Sequence, residues 1–249
     1  MHTSKGRDAA QAFLVEGTRA IAQIAQNSPH RIVEIICQEN TKAAVSPDFP
    51  FRRVSRAQFR SIALSQHPAG PIAVVSIPEA WKDPTLPAMP GRKILVLEDV
   101  QDPGNIGSLV RSAAAFDFSG LLLSEKCADP FGPKAVQASS GAIVSLWLRR
   151  TRRYRDLLWD LKQKGFRIFA ADIRGTPWKG PSGAEKNLVI VLGNEGNGLS
   201  SETMDMADET VKIPFNGKKV ESLNVAASGA VCMYLSTLLD GDPCASVPL

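Results

Sequence analysis

Residues 188–200 read Leu188-Val189-Ile190-Val191-Leu192-Gly193-Asn194-Glu195-Gly196-Asn197-Gly198-Leu199-Ser200. A short, unbroken apolar run that ends in a turn fits a strand buried on both faces, and a parallel sheet covered by helices needs such strands. Glycines follow at the strand's carboxyl end, where layered α/β folds bind their ligands. Phosphate is the first ligand such a loop suggests. The details refuse it: no Lys-Ser/Thr pair follows the glycines, the spacing is not G-x-G-x-x-G, and Glu195 would place negative charge beside phosphate. A carboxylate among glycines suits a neutral or cationic ligand. A tight turn with Ser200 capping a helix from Ser201 to Met206 would account for the glycines alone.

Outward from this stretch the pattern repeats. Ile94 to Leu97, Leu121 to Leu123, Arg167 to Ala171 and Val211 to Ile213 have the composition of short strands. They alternate with helical spacing at Ile106 to Phe116, Lys134 to Ser139, Tyr154 to Lys164 and Asn224 to Leu239. That alternation predicts an α/β fold built on a parallel sheet. Upstream, Phe13-Leu14-Val15, a helix over Thr18 to Gln26, a strand Ile32 to Cys37, a helix Ser55 to Ser65 and a strand Ile72 to Val75 outline a small α/β module. Between the two lies a segment with Pro78, Pro84, Pro87, Pro90 and Gly91, which can be neither a central strand nor a continuous helix. The expected division is 1–77, a linker over 78–92, and 93–249.

The chain has 249 residues, 44% hydrophobic and 22% charged, enough for one large domain or two modest ones with real cores. No apolar run approaches the roughly 20 residues that cross a bilayer. The segment Met1 to Asp8 has a positive start but no apolar core after it, so a cytoplasmic location is expected. Cys37, Cys127, Cys232 and Cys244 lie far apart with no CxxC pair, and His2, His30 and His67 flank none of them. Structural zinc needs closely spaced ligand pairs, so no metal is expected, and Cys37 and Cys232 read as buried thiols. The net charge of +4 permits a polyanionic partner without demonstrating one.

Two more loops carry polar groups at strand ends. In Glu98-Asp99-Val100-Gln101-Asp102-Pro103-Gly104-Asn105-Ile106-Gly107, Asn105 stands where a helix N-cap would. Arg111 follows in an apolar, small-residue helix, where a guanidinium needs solvent or an anionic or polar partner. In Ile213 to Val225, Asn216-Gly217 is a turn signal beside Lys218 and Lys219. Capping explains one of Glu221, Ser222 and Asn224, and a lined site is the better reading of all three. Arg52, Arg56 and Arg60 would share one helix face if the helix began slightly before Ser55, and Arg149 to Arg155 form a second basic cluster. Each could hold a polyanionic partner or simply be a solvated surface.

Three segments together resemble the SpoU (TrmH) family of S-adenosyl-L-methionine-dependent RNA ribose methyltransferases. The first motif appears as Asn105-Ile106-Gly107 with Arg111, the second as Leu192 to Leu199, and the third as Ile213-Pro214 with Glu221-Ser222-Leu223-Asn224-Val225. Ala138 to Ala142 is a further match, although Gln137 stands where many members carry arginine. Phe13 to Gly17 and Pro68-Ala69-Gly70 resemble the ribosomal-protein-like RNA-binding domain that precedes the catalytic domain in many members.

The resemblance implies a C-terminal parallel-sheet domain with a deep trefoil knot, preceded by a small α/β RNA-binding domain. It implies S-adenosyl-L-methionine as cofactor, no metal, a homodimer, and RNA as partner, with ribosomal RNA favoured over transfer RNA. Carried over by motif, the catalytic residues are Asn105, Arg111, Glu195, Ser222 and Asn224. The cofactor-binding residues are Leu192, Gly193, Asn194, Gly198, Ile213, Pro214, Leu223 and Val225. The implied function is methylation of a ribose 2′-hydroxyl; a transfer RNA substrate, or a catalytically inactive RNA-binding protein of this fold, is the alternative. A nucleotide hydrolase fails on the missing phosphate-loop lysine. The identity of the general base stays open, since an arginine remains protonated in proteins.

Overall fold

The computed structural model describes residues 1–39, 49–66, 68, 70–181 and 187–238, so Cys244, His67, Ala69 and Leu239 lie outside the described residues. These residues gather into two compact units. The first is Met1–Trp81 with Asp102–Arg111 and Ala128–Leu146; the second is Lys82–Gln101 with Ser112–Cys127 and Trp147–Leu249.

In the first unit, α1 (Ser4–Ala10) leads into β1 (Ala12–Glu16), α2 (Thr18–Asn27), β2 (Ile32–Gln38), β3 (Phe51–Val54), α3 (Arg56–Ile62) and β4 (Ile72–Ser76). The strands form one mixed sheet in the order β1-β4-β2-β3, antiparallel except for the β2–β3 pair. A complete capping box starts α3: the Ser55 hydroxyl accepts from Gln58 N and the Gln58 side chain accepts from Ser55 N. The proposed arginine stripe is corrected by this start. Ser55 is the cap, so Arg52 lies in β3, where its Nε donates to Glu34 at 2.7 Å, and only Arg56 and Arg60 share a helix face. Phe131 packs against Phe13 and edge-on against Trp81, each with ring centroids 5.1 Å apart.

The second unit holds a six-stranded sheet. Its strands are β5 (Lys93–Leu97), β6 (Gly120–Ser124), β7 (Trp147–Thr151), β8 (Arg167–Pro177), β9 (Leu188–Leu192) and β10 (Glu209–Lys212), arranged β10-β8-β9-β5-β6-β7 and all parallel. β6 and β9 are buried along their whole length, the signature of a parallel sheet covered on both faces. The helices are α4 (Pro103–Ala115), α5 (Pro133–Ser139), α6 (Tyr154–Gln163), α7 (Ser201–Met206) and α8 (Val225–Leu235), of which α5 and the start of α4 belong to the first unit. Strand order reverses between β5 and β9, so the loops after these strands open at a switch point, the usual ligand position. β7 and the long tail of β8 extend beyond the sequence reading. β8 departs most: Ala170 pairs with Thr210 and Thr176 with Val211, so residues 171–175 bulge out of the ladder.

The arginine cluster at 149–155 is largely committed to internal partners. Arg149 is buried, its Nε donating to Thr85 O at 2.9 Å. Arg150 donates to Glu125 O, Arg152 pairs with Glu125, Arg153 with Asp156 and Arg155 with Glu202.

Candidate active site

The second unit carries a cavity of about 570 Å³, lined by the bulge of β8, the turn after β9, the end of β10 and the segment leading into α8. That volume suits a small organic ligand. Leu192, Gly193, Asn194, Glu195, Gly198, Ile213, Ser222, Leu223 and Val225 all line it, bringing the second and third sequence motifs into one place.

The turn after β9 is built by Asn194. Its Oδ1 accepts from Gly196 N at 2.9 Å and Asn197 N at 3.0 Å, and its backbone exchanges hydrogen bonds with Gly198 at 3.0 Å in both directions. Asn194 Nδ2 donates to Asp99 O at 2.8 Å, tying the turn to the loop after β5. A side chain on Gly193 would meet the Gly198 carbonyl carbon at 2.4 Å, so only glycine closes the turn there. Ser200 caps α7 as the sequence suggested, its hydroxyl accepting from Thr203 N. Below the turn, Glu98 is buried and accepts from Ser200 N, and the buried Tyr154 hydroxyl lies 3.4 Å from the Thr203 hydroxyl. Burial pushes the Tyr154 phenol up to about 12.

Asn224 and Pro214 stand outside the lining. Asn224 is the N-cap of α8, its Oδ1 accepting from Ala226 N at 2.9 Å and Ala227 N at 3.2 Å. In the loop before it, Asn216 Oδ1 accepts from Lys218 N at 3.1 Å, closing the turn that Asn216-Gly217 predicted.

Asn105 and Arg111 lie on α4 in the first unit. The cap of this helix is Asp102, whose Oδ1 accepts from Asn105 N at 3.0 Å, and Pro103 occupies the first helical position. This corrects the capping expectation for Asn105, which sits inside the first turn. Lys134 Nζ, 2.6 Å from the second Asp102 oxygen, helps to hold that carboxyl below its usual range. Arg111 is exposed and makes no hydrogen bond or ion pair among the described residues.

Chemically, the cavity offers backbone groups at strand ends, apolar walls from Leu192, Ile213, Leu223 and Val225, and the carboxylates of Glu195 and Glu221. Arg174 is paired with Asp172, and Lys212 also lines the cavity. Such a donor set accepts a flat heteroaromatic group and a cation better than a phosphate. Among the described residues no group of His, Cys, Asp and Glu side chains could hold a metal, and no helix is long and apolar enough to cross a membrane.

Residues 92–234 match the SpoU rRNA Methylase family. The chain belongs to the SpoU rRNA methylase family. It is 29% identical over 242 residues to an uncharacterized tRNA/rRNA methyltransferase of Synechocystis sp., covering 94% of this chain and 86% of that protein. It is 27% identical over 237 residues to the 23S rRNA (guanosine(2553)-2′-O)-methyltransferase RlmP of Bacillus subtilis, with coverages of 94% and 92%. Its fold is similar to the SpoU methyltransferase AviRb of Streptomyces viridochromogenes, solved in complex with the cofactor AdoMet, at a TM-score of 0.79 and 23% identity over 94% of this chain and 92% of that one.

Several cavity residues of this SpoU methylase escaped the sequence reading: Asp172, Ile173 and Arg174 on the β8 bulge, then Phe215, Ser228 and Cys232. The legible signal was opposite charges two residues apart at the end of an apolar strand, since positions i and i+2 share a face.

Proposed function

We propose that this SpoU methylase transfers a methyl group from S-adenosyl-L-methionine to a ribose 2′-hydroxyl of RNA, with ribosomal RNA as its substrate. The observation that carries this reading is the cavity at the ends of β8, β9 and β10, where residues of the second and third motifs meet. S-adenosyl-L-methionine supplies an electrophilic methyl group on a sulfonium. The backbone of Leu192, Gly193, Ile213 and Leu223, with Asn194, Gly198, Pro214 and Val225 around it, holds the adenine end. Glu195 and Glu221 lend carboxylates to the cationic end, and Ser222 adds a hydroxyl.

The nucleophile is a weak oxygen that must shed its proton while aligned for in-line displacement. Arg111 is always protonated and free of partners among the described residues. It clamps the adjacent phosphate and stabilises developing alkoxide charge, a task suited to a fixed bidentate donor. By motif, Asn105 and Asn224 are the remaining residues assigned to catalysis.

In the same reading the chain divides as 1–77, an RNA-binding domain, 78–92, a linker, and 93–249, a catalytic domain whose C-terminal part is a deep trefoil knot. Two copies associate through α8, whose Val231 and Tyr234 are exposed apolar side chains on one face, with Leu238 one turn on. The protein works in the cytoplasm. Similarity to a protein named as a tRNA/rRNA methyltransferase makes transfer RNA the second reading.

The test is to map 2′-O-methylation across cellular RNA with the wild-type chain, without it, and with Arg111→Ala. One ribosomal RNA nucleotide should lose its methyl group without the protein. Arg111→Ala should cost about 10²–10³-fold in methyl transfer while donor binding survives. A lost site in transfer RNA selects the second reading, and full activity of Arg111→Ala removes the role assigned to it.

A further inference from the structure

The bulge of β8 does more than widen the cavity rim. Asp172 has a side chain only 8% exposed and directs both carboxylate oxygens at Arg174, which is 72% exposed. Arg174 Nε donates to Oδ1 at 2.8 Å and one terminal nitrogen donates to Oδ2 at 2.9 Å. The Arg174 backbone N–H also donates to Oδ1, at 2.8 Å, so side chain and main chain are locked together. This clasp stands beside the glycine turn: a Cβ placed on Gly198 would be 3.8 Å from Asp172 Oδ2. Both residues line the cavity, and the Ile173 side chain between them is exposed.

A fully solvated arginine with no ligand to meet would gain little from this arrangement, because an exposed ion pair contributes about 0–1 kcal/mol. What the clasp does is fix direction. Two of the five guanidinium donors are spent on Asp172, leaving the others directed away from it. Asp172 is the buried partner and Arg174 the exposed one, so the free donors are on the solvent side, within reach of a polymer laid across the mouth.

We propose that Arg174, held by Asp172 on the β8 bulge, binds a backbone phosphate of the RNA next to the target nucleotide, with Asp172 as its positioning residue. This rests on the RNA methyltransferase reading above. A guanidinium fork matches a phosphate bidentately, and such a contact fixes where a strand lies without reading its bases. With the donor in the cavity and the phosphate on the rim, the ribose between them is set against the methyl group.

The test uses the full-length chain and ribosomal RNA purified from cells lacking it, with Kd measured by filter binding at several salt concentrations and donor binding measured by calorimetry. Arg174→Ala should weaken RNA binding about tenfold, the size of one charge-assisted contact, and lower the slope of log K against log salt by about one. Donor affinity should not change. Arg174→Lys should keep the salt slope and lose part of the affinity, because the charge remains and the fork does not; it also serves if the alanine variant folds poorly. Asp172→Asn should weaken RNA binding with the slope intact. The proposal is overturned if Arg174→Ala leaves RNA affinity and slope unchanged, or if it weakens donor binding while RNA binding holds, which would give the guanidinium to the donor's carboxylate. An Asp172→Asn variant that binds RNA as the wild type does removes the positioning role. Loss of donor binding by the wild-type chain itself would instead overturn the underlying reading.

Discussion

Tyr154 shows how a single buried group sets a limit on the whole protein. Its hydroxyl is enclosed beneath the glycine turn near Thr203 and Glu98, and burial is the main reason its ionisation is pushed up to about 12 from the ordinary value near 10. The folded state therefore holds the proton more tightly than the unfolded chain. That contribution is fully present below about pH 10 and is lost as the pH climbs towards 12, by an amount on the order of 3 kcal/mol. Denaturant melts at pH 8 and pH 11 should show a larger loss of stability for the wild type than for Tyr154→Phe, which has no proton to lose. Equal losses would mean that the phenol is not what titrates. The residue scale also separates two kinds of polar group in the motifs. Asn194 and Asn224 spend their side-chain oxygens on backbone N–H groups, whereas Arg111 spends nothing on the other described residues. Sequence alone could not make that division, because an asparagine before an apolar helix looks the same whether it caps the helix or holds a ligand.

At the scale of elements, the parallel strands were legible because burial on both faces leaves a continuous apolar run, and β5, β6 and β9 were each found within a residue or two. β3 and β7 were not, because they carry arginines: β3 is Phe51–Val54 with two of them, and β7 places Arg149 and Arg150 on an edge strand. Edge strands tolerate charge, which erases the signal a strand reader uses. The β8 bulge was illegible for a different reason, since its register is decided by β10 across the ladder and not by local propensity. One element contact is open to a direct test. A Cβ on Gly107 would lie 2.2 Å from the Ala135 carbonyl oxygen and 2.7 Å from the Ala138 Cβ, so α4 and α5 touch backbone to backbone. Gly107→Ala should force them apart and destabilise the protein by about 1–3 kcal/mol, read as a lowered thermal midpoint. An unchanged midpoint would show that α5 yields without strain.

For the whole molecule, the question is what covers α8. Val231 and Tyr234 are exposed although this helix is apolar on nearly every side, and an all-round apolar helix ordinarily ends up enclosed. Light scattering should give a mass twice that of one chain, and Val231→Glu with Tyr234→Glu should return it to that of a monomer; a wild-type monomer at micromolar concentration sinks the association. Strand order has a further consequence during synthesis. Lys93 on β5 pairs with Leu188 on β9, 95 residues later, and β8 is made before the strand that joins it to β5. On a ribosome adding roughly 5–20 residues per second, β5 waits about 5–20 s with one edge bare. The nascent chain thus carries an open, largely apolar strand edge while about 95 further residues are added, and its yield in cells should depend on chaperone supply more than its finished stability suggests.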